Sequence, residues 1–285
     1  MLGVATRVGC GKRVFFVLVG LAVSAVLAGS SLAAMGVRAA TDPNVGYDIS
    51  YPQCNGPFPS GAFGVAGVNG GKPYGANLCL GTGDGPSELS WAGMNAQLYA
   101  NTADPGPALS SHWPTGQTSP KECNTTSNPG SDTAQCHYDY GWNAAADSYK
   151  DAVAAEVSLG WVSAGSTRTV VANRWWLDVE TANSWTSNTA LNIQALRGEA
   201  DYLASVGAPG VGFYSVSSAW KSVTGSTTAF SAYPTWLAGA RSLADAQSRC
   251  ATKGFTGGPT VIVQFPSKGF DGDYRCTAVR TATKR

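Results

Sequence analysis

The segment RWWLDVE, Arg174 to Glu180, has the aromatic and branched composition of a buried strand yet carries two acids, Asp178 and Glu180. An unpartnered carboxylate is costly to bury, so such strands normally exclude it. At positions i and i+2 both side chains leave the same face of a strand. Further acids sit close to the ends of other apolar runs: Asp48 in VGYDISY (45–51), and Asp271 and Asp273 in GFDGDYRC (269–276). Carboxylates converging from separate strands suit cleavage of a glycosidic bond. One protonated acid gives its proton to the leaving oxygen, and the others stabilise the cationic transition state. The plainer alternatives are a structural pair held by Arg174 or Arg197, and a simple turn at Asp271-Gly272-Asp273.

The elements that would position these acids are short apolar runs ending in polar or glycine-rich stretches. They cover 45–51, 62–68, 96–102, 174–180, 210–215, 234–240 and 260–265. Near-continuous apolar strands of this kind belong to sheets covered on both faces. Helical spacing lies between some of them. Ala146, Tyr149, Val153 and Val157 fall three and four apart within 142–159. Asn188 caps a second pattern, Ile193, Leu196, Ala200 and Leu203, which stops at Gly207 with Pro209 beyond. A third helix is expected over 242–254. This alternation predicts an α/β fold with a parallel sheet, a TIM-like β/α barrel first and a doubly wound sheet second. In such a barrel, strand C-termini form the active face. Residues 104–140 contain five prolines and show no hydrophobic period, so they are expected to form an inserted loop over that face.

Arg7, Lys12 and Arg13 precede an apolar run from Val14 to about Leu32, the layout of a secretory signal peptide, with an uncleaved anchor as the alternative. Residues 1–40 are therefore read as the signal and 41–285 as a single domain. Losing Arg7, Lys12, Arg13 and Arg38 leaves fifteen basic against eighteen acidic residues. No basic patch points to nucleic acid. Six cysteines remain beyond the signal: Cys54, Cys79, Cys123, Cys136, Cys250 and Cys276. An even set in an exported chain reads as disulfides, and six allow fifteen connectivities. No pair has CxxC spacing, and His112 and His137 are the only histidines, so neither a metal nor another cofactor is expected. Both histidines are read as surface or packing residues.

The ordered set GYDISYPQ, WLDVE, GFYS, PTWLAGA and VQFPSKGFDGD resembles the family 25 glycoside hydrolases, the lysozyme-type muramidases, over roughly 45–276. The residues carrying the likeness are Asp48, Ser50 and Gln53, then Asp178 and Glu180, Tyr214, Trp236 and Ala238, Gln264, and Asp271 with Asp273 in place of the family's closing Asn. The resemblance implies a barrel of five β/α units followed by three β-strands. It also implies cleavage of β-1,4 bonds in peptidoglycan or a related N-acetylated polysaccharide. Carried over by position, Glu180 is the general acid, Asp178 orients the substrate acetamide or stabilises the positive charge beside it, and Asp48 and Asp271 complete the acidic ring. The four are expected to converge in one cleft, with Glu180 the most shielded by aromatic rings. The acetamide can then replace an enzyme nucleophile. Tyr51, Tyr99, Trp185, Tyr214 and Trp236 are the expected aromatic platforms for sugar. Trp176 counts with them as a binding residue one layer deeper on the face of Asp178 and Glu180, and Gln264 and Asp273 are the polar contacts. Two departures stand out: the third strand, LYANTAD, lacks the family's usual aromatic–His–aromatic run, and no Trp precedes Gln264.

Placed on that barrel, the cysteines are expected to pair as Cys54–Cys79, Cys123–Cys136 and Cys250–Cys276. The expected protein is a secreted or cell-wall-associated monomer that binds polysaccharide and leaves the membrane once the signal is cleaved. The alternative is a catalytically lapsed barrel binding glycan or a protein partner through the same groove.

Overall fold

The computed structural model describes residues 42–277 apart from 84, 124–129 and 172. The expected signal segment lies outside these residues. Eight strands close into a barrel in sequence order. They are β1 (Val45–Ile49), β2 (Gly64–Gly67), β3 (Gln97–Asn101), β4 (Trp175–Asp178), β5 (Val211–Ser215), β6 (Thr235–Leu237), β7 (Thr260–Ser267) and β8 (Phe270–Arg275). Strands β1 to β7 pair in parallel, and β8 runs antiparallel to both β7 and β1 to close the ring. The expected TIM-like barrel is thus present.

The helices are α1 (Glu88–Ala92), α2 (Ala134–Ser158), α3 (Thr189–Ser205), α4 (Ser217–Thr224) and α5 (Leu243–Arg249). They follow β2 to β6 in turn, whereas β1 is followed only by a 3₁₀ turn at Tyr51–Gln53. Helix α2 starts eight residues before the periodic pattern at Trp142, inside the segment read as loop. Thr133 caps it by accepting from the Cys136 amide. The sequence signal is masked because Gly141 interrupts the pattern, and the structure gives a reason for that glycine. A Cβ there would lie 1.9 Å from the Ala195 carbonyl oxygen, and one at Gly198 would lie 2.0 Å from that of Tyr138. Two glycines therefore let α2 and α3 pack backbone to backbone. Helix α5 stops at Arg249, short of the expected Gly254.

Alternation along each strand divides the core in two. Trp175 and Leu177 face outward with Leu98 and Phe213, under Leu196, Ala200 and Leu203 of α3 and Trp220 of α4. Val65, Trp176, Trp236 and Ile262 fill the barrel interior. Covering on both faces explains the continuous apolar reading of RWWLDVE. Asp271 and Asp273 lie in β8 rather than in a turn. The turn falls at Lys268 and Gly269, whose φ values of 54° and 85° suit a two-residue hairpin. The three cysteine pairs are Cys54–Cys79, Cys123–Cys136 and Cys250–Cys276, with Cα separations of 5.3, 4.8 and 5.4 Å.

Candidate active site

Strand register assembles the acids before any side chain is considered. Asp48 of β1 pairs with Asp271 of β8, Asn101 of β3 with Asp178 of β4, Asp178 with Tyr214 of β5, and Tyr214 with Trp236 of β6. These positions form one layer around the C-terminal mouth of the parallel strands. Glu180 lies two residues beyond the end of β4. Together they line a cavity of about 360 Å³ with Tyr51, Gln53, Tyr99 and Gln264. All four acids expected to carry the chemistry therefore meet in one place, and among the described residues no Lys, Arg or His lines that cavity.

Each acid has a distinct surrounding. Asp178 is buried, and its Oδ2 accepts a hydrogen bond from Asn101 Nδ2 at 2.5 Å. Its Oδ1 is buried with no hydrogen-bond partner among the described residues. Burial raises its pKa well above the usual carboxylate range, with the charges of Glu180 and Asp48 adding to the shift. Asn101 is in turn fixed by Asn69, which donates to its carbonyl and accepts from its amide. Asp48 accepts from Gln264 Nε2 at 3.0 Å, and Gln264 Oε1 accepts from the Tyr214 hydroxyl at 2.9 Å. Burial pushes Asp48 up to about 7; hydrogen bonds from Gln264 and Asp273 oppose the shift, and the charge of Asp271 adds to it.

Glu180 differs from expectation in one respect. It was expected to be the acid most shielded by aromatic rings, but its side chain is exposed at the cavity edge, because β4 has ended before it. Desolvation and then the charge of Asp271 still raise its pKa. Asp271 is likewise exposed, with its pKa raised by desolvation. The most shielded acid of the group is Asp273, which does not line the cavity. It accepts from Trp236 Nε1 at 2.7 Å, and burial and the charge of Asp48 hold its carboxyl well above the usual range. A protonated Asp273 can donate to Asp48, as an amide would.

Tyr51, Tyr99, Tyr214, Trp236 and Gln264 line the cavity as expected. Two of the expected aromatic contacts do not. Trp176 points into the barrel one layer deeper, hydrogen-bonds Gln97 through its indole, and borders the opposite mouth beside Arg174. Gly212 makes room for it, since a Cβ there would lie 2.4 Å from the Trp176 ring. Trp185 turns away to pack on the outer core, its indole donating to the Glu180 carbonyl at 2.8 Å. Asn101, Ala182 and Asn183 were missed by sequence reasoning. Only Asn101 carried a signal, as the polar end of an apolar strand.

The described part of the long insertion runs along the same face. Asp104 bridges to Trp185 of the loop after β4, but no described residue of 104–133 lines the acidic cavity. His137 is wholly buried and anchors this segment. Its Nδ1 lies 2.7 Å from both oxygens of Asp104, and its Nε2 lies 2.6 Å from Asp132 Oδ1. The reading of His137 as a surface or packing residue is corrected to an ion-paired clamp. Among the described residues, no group of three or more His, Cys, Asp or Glu side chains could hold a metal ion, and no helix is long and apolar enough to cross a membrane.

A family model described as lysozyme-like protein 1 (Lys-1) matches residues 153–251, a span that holds Asp178, Glu180, Tyr214 and Trp236. Solved structures similar to the chain include a muramidase from Trichobolus zukalii, at 18% identity over 82% of this chain and 94% of that one, with a TM-score of 0.49. A lysozyme from Streptomyces coelicolor shows 15% identity over 82% and 93%, with a TM-score of 0.48. A family GH25 lysozyme from Aspergillus fumigatus shows 14% identity over 82% and 94%, with a TM-score of 0.47. No curated protein matches the chain.

Proposed function

We propose that the protein is an exported glycoside hydrolase of the muramidase type, cleaving β-1,4 bonds in peptidoglycan or a related N-acetylated polysaccharide. The observation that carries this reading is the convergence of Asp48, Asp178, Glu180 and Asp271 in one cavity beside Tyr51, Tyr99 and Tyr214. The lysozyme-like match over 153–251 supports it independently.

Glu180 acts as the general acid. Its raised pKa keeps it protonated to a higher pH than a free glutamate, and its position at the edge gives it access to a leaving oxygen. Asp178 has one oxygen fixed by Asn101, and its unpartnered Oδ1 is available to the N–H of the substrate acetamide. The acetamide oxygen then attacks the anomeric carbon as the glycosidic bond breaks, and the departing oxygen takes the Glu180 proton. Water later opens the cyclic intermediate and returns a proton to Glu180. Asp271, at the exposed edge, supplies negative charge beside the cationic transition state, and Asp48 adds to it only as it ionises, at about pH 7.

The second reading is a lapsed barrel that binds glycan without cutting it. The exposure of Glu180 favours it, because an exposed acid is less strongly tuned than a buried one. Incubating the protein and its Glu180→Gln variant with purified peptidoglycan and with chitin fragments separates the two. New reducing ends with wild type alone support hydrolysis. Binding without reducing ends at any pH from acid to neutral rejects hydrolysis and leaves the binding reading.

A further inference from the structure

A second cavity, of about 410 Å³, adjoins the acidic one on the same face. Its walls come from the loop after β2 (71–74), the start of the insertion (105–112) and the loop after β4 (182–184). Gly71, Ala182 and Asn183 line both cavities, so a branched ligand can occupy the two together. Gly71 sits at the junction with φ of 82°, where a Cβ would lie 2.9 Å from the Tyr51 ring. Glycine meets both the backbone and the space requirement of that passage.

The two cavities differ in charge. Among the described residues, the acidic one is lined by four carboxylates and no basic group, whereas the second is lined by Lys72 and His112 and no carboxylate. Lys72 is exposed and makes no ion pair among the described residues. His112 stacks flat on Tyr74, with centroids 4.0 Å apart and planes 3° from parallel. The Tyr74 hydroxyl donates to the Tyr140 carbonyl, which ties this platform to α2. Leu109 stands 79% exposed beside it.

We propose that the second cavity takes the peptide substituent of a peptidoglycan strand whose sugar lies in the acidic cavity. This rests on the muramidase reading. A neutral N-acetylated sugar gives Lys72 nothing to pair with. A peptide branching from the sugar brings carboxylates for Lys72 and alkyl groups for Leu109 and the His112 face. Like-charge repulsion keeps those carboxylates out of the acidic cavity. The insertion thereby selects peptide-bearing glycan over bare glycan.

The test is calorimetric titration of the protein with N-acetylglucosaminyl-N-acetylmuramic acid in two forms, one with its lactyl carboxyl capped as the methylamide and one carrying a tetrapeptide there. Wild type should bind the peptide-bearing form at least fivefold more tightly. Lys72→Glu should remove that preference, and Lys72→Arg, which keeps the charge, should retain it. Equal affinities in wild type, or a preference unchanged in Lys72→Glu, overturns the proposal while leaving the muramidase reading in place. If neither form binds and no reducing ends appear from peptidoglycan, both fall together.

Discussion

Asp178 and Glu180 leave one strand face but meet different environments, and their substitutions should separate accordingly. Glu180→Gln removes the transferable proton and should lower kcat about 100-fold or more while glycan affinity is nearly kept. Because burial and Asp271 raise the Glu180 pKa, wild-type activity should fall on the alkaline side, as pH rises through that raised value and the acid loses its proton. A pH profile whose alkaline limb is the same in Asp271→Asn would reject that assignment. Asp178→Asn should also cost about 100-fold in kcat, because the amide disturbs the oxygens that accept from Asn101 and orient the substrate acetamide. Asp273 offers a sharper contrast. Its neutral form donates to Asp48 and accepts from Trp236, and an amide can do both. Asp273→Asn should therefore keep folding and activity. Asp273→Leu should destabilise by about 1–3 kcal/mol by leaving buried polar groups unpartnered. Thermal melts and kcat of the two variants decide it.

At the scale of elements, the insertion is held by two devices. The Cys123–Cys136 disulfide ties its distal part to the first turn of α2, and His137 clamps Asp104, just beyond β3, to Asp132, just before α2. Burial alone would lower the His137 pKa, but hydrogen bonds and charge from Asp104 and Asp132 outweigh it and leave the pKa raised. A raised histidine pKa means that the folded state holds its proton more firmly than the unfolded chain. The clamp is therefore fully present below pH ~6.5 and is lost as pH rises through the folded value. His137→Ala should cost about 3 kcal/mol, since it strands the buried Asp104. Limited proteolysis within 105–131 should accelerate in that variant, and in wild type more at pH 9 than at pH 5. Cleavage rates insensitive to both changes would show that the His137 clamp does not hold the segment, leaving the disulfide and the hydrogen bonds of Lys121 and Gln117 to α2.

For the whole molecule, the buried acids act in one direction. Burial raises Asp48 and Glu88 to about 7, and raises Asp178, Glu199 and Asp273 well above their usual range. In the unfolded chain these acids ionise near pH ~4. Over the interval from there to about 7 the folded state holds protons that the unfolded state has released. Stability is then fully present in acid and falls as pH rises toward neutrality. Melting temperature should be higher near pH 4 than near pH 8. A maximum at neutral pH with loss in acid, the ordinary pattern for exposed salt-bridged carboxylates, would contradict this account.

The sequence by itself determined the barrel, most strand positions and the four cavity acids, because each rests on local information. Alternation in RWWLDVE places Trp175 and Leu177 on one side and Trp176, Asp178 and Glu180 on the other, and the polar ends of apolar runs mark the open face. It also supported the three cysteine pairs once the strands were ordered. Only the tertiary structure decided the surroundings of each side chain. That Trp176 lies one layer deeper than Asp178 on their shared face follows from the strand spacing, but that it borders the opposite mouth does not. Glu180 lies beyond the last strand residue, where burial depends on neighbouring loops rather than on its own strand. Asp273 looked like turn chemistry because acids beside glycine are common in turns, but pairing with β1 and β7 draws it into the interior. The early start of α2 was hidden for a related reason: Gly141 weakens the helix locally, and its value lies in the contact with α3, fifty residues further along the chain.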